Sequence, residues 1–183
     1  MQPDAPRPAP QSKPAAAPKV QPAAARCVDS AIELAAGQSV AVRMYGRKKT
    51  GQTSPVVVHF HGGAFVSGDL DNGCTVGGLL EGAGAVVVSV AYPLTPFPQP
   101  VDTGYDVLKW VHRNRTKLGG QGALVYLAGE EAGGNLAAAV ALMARDQSHP
   151  PLAGQILLSP MLDPCVGTAS QRQVTGAAVD CKW

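Results

Sequence analysis

Two adjacent carboxylates, Glu130 and Glu131, stand in the stretch GEEAGGN (129–135). The stretch follows a strand-like run, LVYLA (124–128), and opens an Ala-rich helical run, LAAAVALMARD (136–146). A tight turn of small residues between a strand and a helix often presents a catalytic nucleophile. A serine is expected at its apex, and this sequence has Glu131. A carboxylate can form a covalent intermediate, but water must then be activated to break it. A second group, HGGAF (61–65), follows the apolar run VVVHF (56–60). Gly62 and Gly63 allow the backbone there to bend so that its N–H groups face a ligand.

The elements that would position these groups are legible in the hydrophobic pattern. VVVHF, GAVVVSVAY (84–92), LVYLA and GQILLSP (154–160) are continuous apolar runs of buried-strand type. AIELAAGQSVAVRMYG (31–46) alternates in part and suggests two short strands. Helices are expected over 74–84, which is Gly-rich, over 100–120 and over 132–146. In the second of these, Tyr105, Leu108 and Val111 fall at three-residue steps, and Gly119-Gly120 is a stop signal. Apolar strands alternating with helices imply an α/β fold, with a mostly parallel sheet flanked by helices.

The chain has 183 residues, 45% hydrophobic and 15% charged, with a net charge of +2. Residues 1–26 carry a balance of +3, so the remainder is close to neutral. No basic face interleaved with aromatics points to nucleic acid. Seven of the sixteen prolines lie in residues 1–26, which contain no aromatic residue. Such a segment cannot bury enough apolar surface to offset its ordering entropy and reads as a disordered Pro/Ala-rich arm. The domain then covers 27–183. Four widely spaced cysteines (Cys27, Cys74, Cys165, Cys181) form no CxxC pair, so free thiols are expected rather than a metal site or disulfide framework. With no secretory h-region and no run of about 18 apolar residues, neither export nor a membrane span is expected, and the location is expected to be cytoplasmic.

Four motifs in order, HGGAF (61–65), VVVSVAYPLTPFPQPVDTGYDVLKWV (86–111), LAGEEAGGNLAAAVAL (127–142) and QILLSPMLD (155–163), resemble the α/β-hydrolase fold. The similarity is to the hormone-sensitive-lipase-like esterases and covers roughly residues 28–165. The resemblance implies an oxyanion hole made by the amides of Gly63, Ala64 and Ala132, with His61, Gly62, Gly129, Glu130 and Gly133 as supporting motif residues. Where the family has an Asp-Ser pair, this chain has Glu130-Glu131; Ala91 and Pro93 replace its Asp and Arg. Asp163 matches a segment whose Asp is read as a structural hydrogen-bonding residue. In the family the catalytic Asp and His lie on loops beyond the last residue of this chain, so a domain lacking the last strands is expected. None of His59, His61, His112 and His149 matches the catalytic position.

Three functions follow. The first is acyl-ester hydrolysis by descent, inactive in this chain because Glu131 replaces the nucleophile. The second is a non-catalytic binding or scaffolding role for the remnant pocket, with a small acyl ester or carboxylate as ligand. The third is a carboxylate-nucleophile hydrolase acting through Glu131. No cofactor is expected in any of them. The last strand is expected to leave an unpaired sheet edge that recruits a second copy or a complementing chain. The Glu131 carboxylate is expected to lie against the amides of Gly63, Ala64 and Ala132, because a helix start and free amides welcome an anion.

Overall fold

Valine runs set the centre of the sheet. Every residue of β3 (Val56–Phe60) and of β4 (Val86–Val90) is buried, as strands covered on both faces must be. In the computed structural model, which describes residues 27–35, 37–163 and 168–173, six strands form one sheet in the order β1-β2-β4-β3-β5-β6. The arm over 1–26 and the cysteines at 165 and 181 lie outside the described residues. Cys27 and Cys74 are free thiols.

β1 (Cys27–Glu33) and β2 (Ser39–Tyr45) form an antiparallel hairpin, and β2 joins β4 antiparallel. From β4 onward the pairing is parallel: β4 with β3, β3 with β5 (Val125–Glu130), and β5 with β6 (Gly154–Leu158). β5 runs two residues beyond the expected stretch. Gly129 and Glu130 still pair with Leu157 and Leu158, which carries the carboxylate pair to the very end of the strand.

Three helices cover the sheet. α1 (Cys74–Gly82) packs on β4 and β2 over a small cluster of Tyr45, Val57, Ala85, Val87 and Ala128. α2 (Gln99–Gly119) and α3 (Ala132–Asp146) pack together on the other face. Their core includes Val58, Phe60, Val88, Val107, Leu108, Val111, Leu127, Leu136 and Val140. A short α4 (Ala169–Gln173) follows β6.

The chain steps one way from β3 to β4 and then back across β3 to β5. The strand order reverses between β3 and β5. In open α/β sheets the crevice beyond the C-terminal strand ends at such a reversal is where ligands bind. HGGAF leaves β3 at this crevice and GEEAGGN leaves β5 there.

Candidate active site

The turn after β5 is a sharp elbow. Glu131 is the residue between strand and helix, with φ 51 and ψ −114, a conformation that costs a non-glycine residue energy. Its backbone is anchored from β6 and α3. The Glu131 N–H donates to the Leu158 carbonyl at 3.0 Å, and the N–H of Met161 donates to the Glu131 carbonyl at 3.0 Å. The Asn135 side-chain amide adds a bond to the Met161 carbonyl at 2.6 Å. Small residues let α3 start this close to the sheet: a Cβ on Gly133 would collide with the Phe60 carbonyl, and one on Gly129 with the Gly133 carbonyl. The elbow is therefore intact as backbone although its apex carries a carboxylate.

The turn after β3 faces it. Gly63, Ala64 and Phe65 all have positive φ (126, 54 and 63). The Gly63 carbonyl is capped by the N–H groups of Val66 and Ser67. Among the described residues, no hydrogen bond takes the N–H of Gly63 or Ala64. Beneath the turn, His61 Nδ1 lies 2.7 Å from the Gly62 carbonyl. A carbonyl only accepts, so this nitrogen carries the proton. Tyr92 stacks on the His61 ring with centroids 4.4 Å apart and donates its hydroxyl to the His61 carbonyl at 2.8 Å. Burial holds the His61 pKa below its ordinary value, with the bond to Gly62 opposing in part. Burial also pushes the Tyr92 hydroxyl up, helped by the nearby charges of Glu130 and Glu131.

The two carboxylates point to different places. Glu130 turns inward: Oε2 lies 2.7 Å from His59 Nε2, and Oε1 accepts from the Gly62 N–H at 3.3 Å. Glu131 is exposed, and its carboxylate lies against Gly62, where a Cβ would meet Oε2 at 3.1 Å. This departs from the expected placement: no hydrogen bond joins the Glu131 carboxylate to the amides of Gly63, Ala64 or Ala132 among the described residues. An exposed carboxylate keeps its water at little cost, so nothing forces it into the amides.

Of the expected site residues, the structure brings Glu130 and Glu131 against Gly62 and packs Gly133 against the carbonyls of Phe60 and His61; Gly63 and Ala64 continue the turn from Gly62, and Ala132 follows Glu131 at the start of α3. His59 was not among the expected site residues and was named only as a histidine matching no catalytic position. The signal was an imidazole in the middle of an otherwise apolar buried strand, which must find partners. His112 and His149 lie elsewhere, edge to face at 5.2 Å. Among the described residues, no group of three His, Cys, Asp or Glu side chains could hold a metal, and no helix is long and apolar enough to cross a membrane.

Comparison with known proteins adds the family context. A family model described as alpha/beta hydrolase fold matches residues 57–181. Carboxylesterase NlhH of Mycobacterium tuberculosis is 40% identical over 125 residues, covering 66% of this chain and 39% of that protein. Gibberellin receptor GID1C of Arabidopsis thaliana is 35% identical over 150 residues, covering 77% of this chain and 43% of the receptor. Among solved structures, esterase LipW from Mycobacterium marinum superposes with a TM-score of 0.74 at 36% identity, covering 86% of this chain and 51% of LipW. The chain spans about 40% of the length of these curated relatives and about half of the solved esterase.

Proposed function

Because the chain belongs to the alpha/beta hydrolase family, we propose that it carries the oxyanion-accepting half of an acyl-ester hydrolase site and does not itself turn over esters. The observation behind this reading is the elbow: Glu131 takes the strained apex position with its carboxylate against Gly62, in the turn where, among the described residues, the amides of Gly63 and Ala64 have no acceptor. Acyl transfer needs a nucleophile, a base that takes its proton, and donors for the developing oxyanion. The donors remain. The hydroxyl is absent, and the imidazoles of His59 and His61 are engaged with Ser89, Glu130 and Gly62 instead of the apex side chain.

The test is hydrolysis of p-nitrophenyl butyrate by the chain and by Glu131→Ser. Both are expected to be slow. Loss of one member of a nucleophile–base–acid set costs nearly as much as loss of all, roughly 10⁶ in turnover, and donors with binding alone retain roughly 10³–10⁴ over water. Robust turnover by the unmodified chain, unchanged in Glu131→Gln, would sink the proposal.

A binding role is the second reading. It is favoured by the amides of Gly63 and Ala64, which have no acceptor among the described residues, and by a relative named as a receptor rather than an esterase. The ligand class would be a small acyl ester or carboxylate. Calorimetric binding of such a compound without turnover distinguishes this role from a site that does nothing.

A further inference from the structure

β3 is apolar except at His59, which is fully buried. Both ring nitrogens of this side chain are engaged. Nδ1 lies 3.0 Å from Ser89 Oγ on β4, and Nε2 lies 2.7 Å from Glu130 Oε2 on β5. The strand register accounts for this: His59 pairs with Ser89 on one side and Ala128 on the other, and Glu130 follows Ala128 by two residues on the same face. One polar row thus crosses three neighbouring strands.

The row looks like a serine–histidine–carboxylate set, but its chemistry is closed. Ser89 and His59 are both 0% exposed, so no substrate reaches the hydroxyl. Gly73, which caps the start of α1, seals it. A Cβ at this position would stand 2.8 Å from His59 Cε1 and 3.1 Å from Ser89 Oγ.

The row does have an exit at its other end. The Glu130 side chain is 18% exposed, and its second oxygen accepts the Gly62 N–H. Gly62 directly precedes the two amides that have no acceptor among the described residues. Glu130 sits directly before the elbow residue. It therefore ties the turn after β3 to the turn after β5, which share no covalent connection shorter than the whole of α1, β4 and α2. A carboxylate that has given up most of its water needs such partners, and charged hydrogen bonds are the stronger ones.

We propose that His59 and Glu130 are positioning residues for the Gly63–Ala64 amides: His59 fixes the Glu130 carboxylate, and Glu130 passes that constraint to Gly62. The consequence for ligand binding rests on reading those amides as acceptor-binding donors; the clamp itself does not.

Amide hydrogen exchange followed by NMR on the full chain tests it, in wild type, His59→Phe, His59→Gln, Glu130→Gln and the double variant His59→Phe/Glu130→Gln. The expected result is faster exchange at the Gly62 amide by about tenfold or more in His59→Phe and in Glu130→Gln, with Val57, Val87 and Leu127 unchanged. The double variant should exchange like either single one, because both break one chain of contacts. His59→Gln keeps a donor toward Glu130 and should restore part of the protection. Unchanged exchange at Gly62, or loss in step with the sheet amides, would overturn the clamp. Should His59→Phe fail to fold, Glu130→Gln keeps the row's core residues and carries the same criterion. Acetate titrated into Glu131→Ala reads the amides separately. Shifts at Gly63 and Ala64 that persist unaltered after adding Glu130→Gln would overturn the positioning role. No shift at all, with the Gly62 effect intact, would overturn the anion-site reading and leave the clamp standing.

Discussion

At the scale of single residues, the site is held by backbone conformation, and its apex carries the carboxylate of Glu131. The three consecutive positive-φ residues of the β3 turn include Ala64 at φ 54 and Phe65 at φ 63. A side chain in this region is strained, and glycine is not. Ala64→Gly is therefore expected to raise stability by about 1 kcal/mol, seen as a higher urea midpoint; a lower midpoint would mean that packing of the buried methyl outweighs strain. His61 gives a pH dependence. Its folded pKa lies below the ordinary 6.5, chiefly through burial. The unfolded chain thus binds a proton more readily, and the His61 contribution is complete above pH 6.5 and lost as pH falls below it. Stability measured from pH 8 to 5 should fall more steeply in wild type than in His61→Gln. Equal slopes would remove His61 from the acid limb and leave it to other groups such as His112, whose pKa burial also lowers.

At the scale of elements, the elbow depends on how closely α3 approaches β3. A methyl at Gly133 would collide with the Phe60 carbonyl, and backbone cannot yield as a flexible side chain can. Gly133→Ala is expected to cost upwards of about 2 kcal/mol. The check is thermal unfolding beside Gly82→Ala, where a Cβ meets nothing within 4 Å. Similar small effects at both positions would show that α3 can lift without penalty. The helices and strands themselves were largely legible. α3 matches the expected 132–146, and the valine runs became β3 and β4. The end of β5 was not, because Gly129 and Glu130 read locally as turn residues and are strand only through pairing with β6.

At the scale of the whole molecule, β6 is the weak side. It pairs with β5 on one edge and, among the described residues, with nothing on the other. Ile156 and Leu158 are 36% and 41% exposed, on a face that α1 does not reach. Unpaired edges with exposed apolar residues recruit further strands. Concentration-dependent association is expected in sedimentation velocity and should weaken in Leu158→Lys. A sharp monomer at high concentration with a cooperative melt would argue against an open edge.

The sequence by itself determined the α/β class, the order of the elements and the two turns that meet at the crevice. These follow from local pattern: continuous valine runs have only one kind of place to go, and glycines mark where backbone must turn tightly. Tertiary structure alone decided where the two carboxylates point. Glu130 and Glu131 are neighbours of identical type, and the local pattern, which puts Glu131 at the apex of the turn, does not say where either carboxylate points. Strand alternation sends Glu130 to the face of His59, while the elbow conformation turns Glu131 out to solvent beside Gly62. Likewise the buried His59 became intelligible only when β4 and β5 placed Ser89 and Glu130 on either side of it, since a polar group in a core is explained by partners far away in the chain.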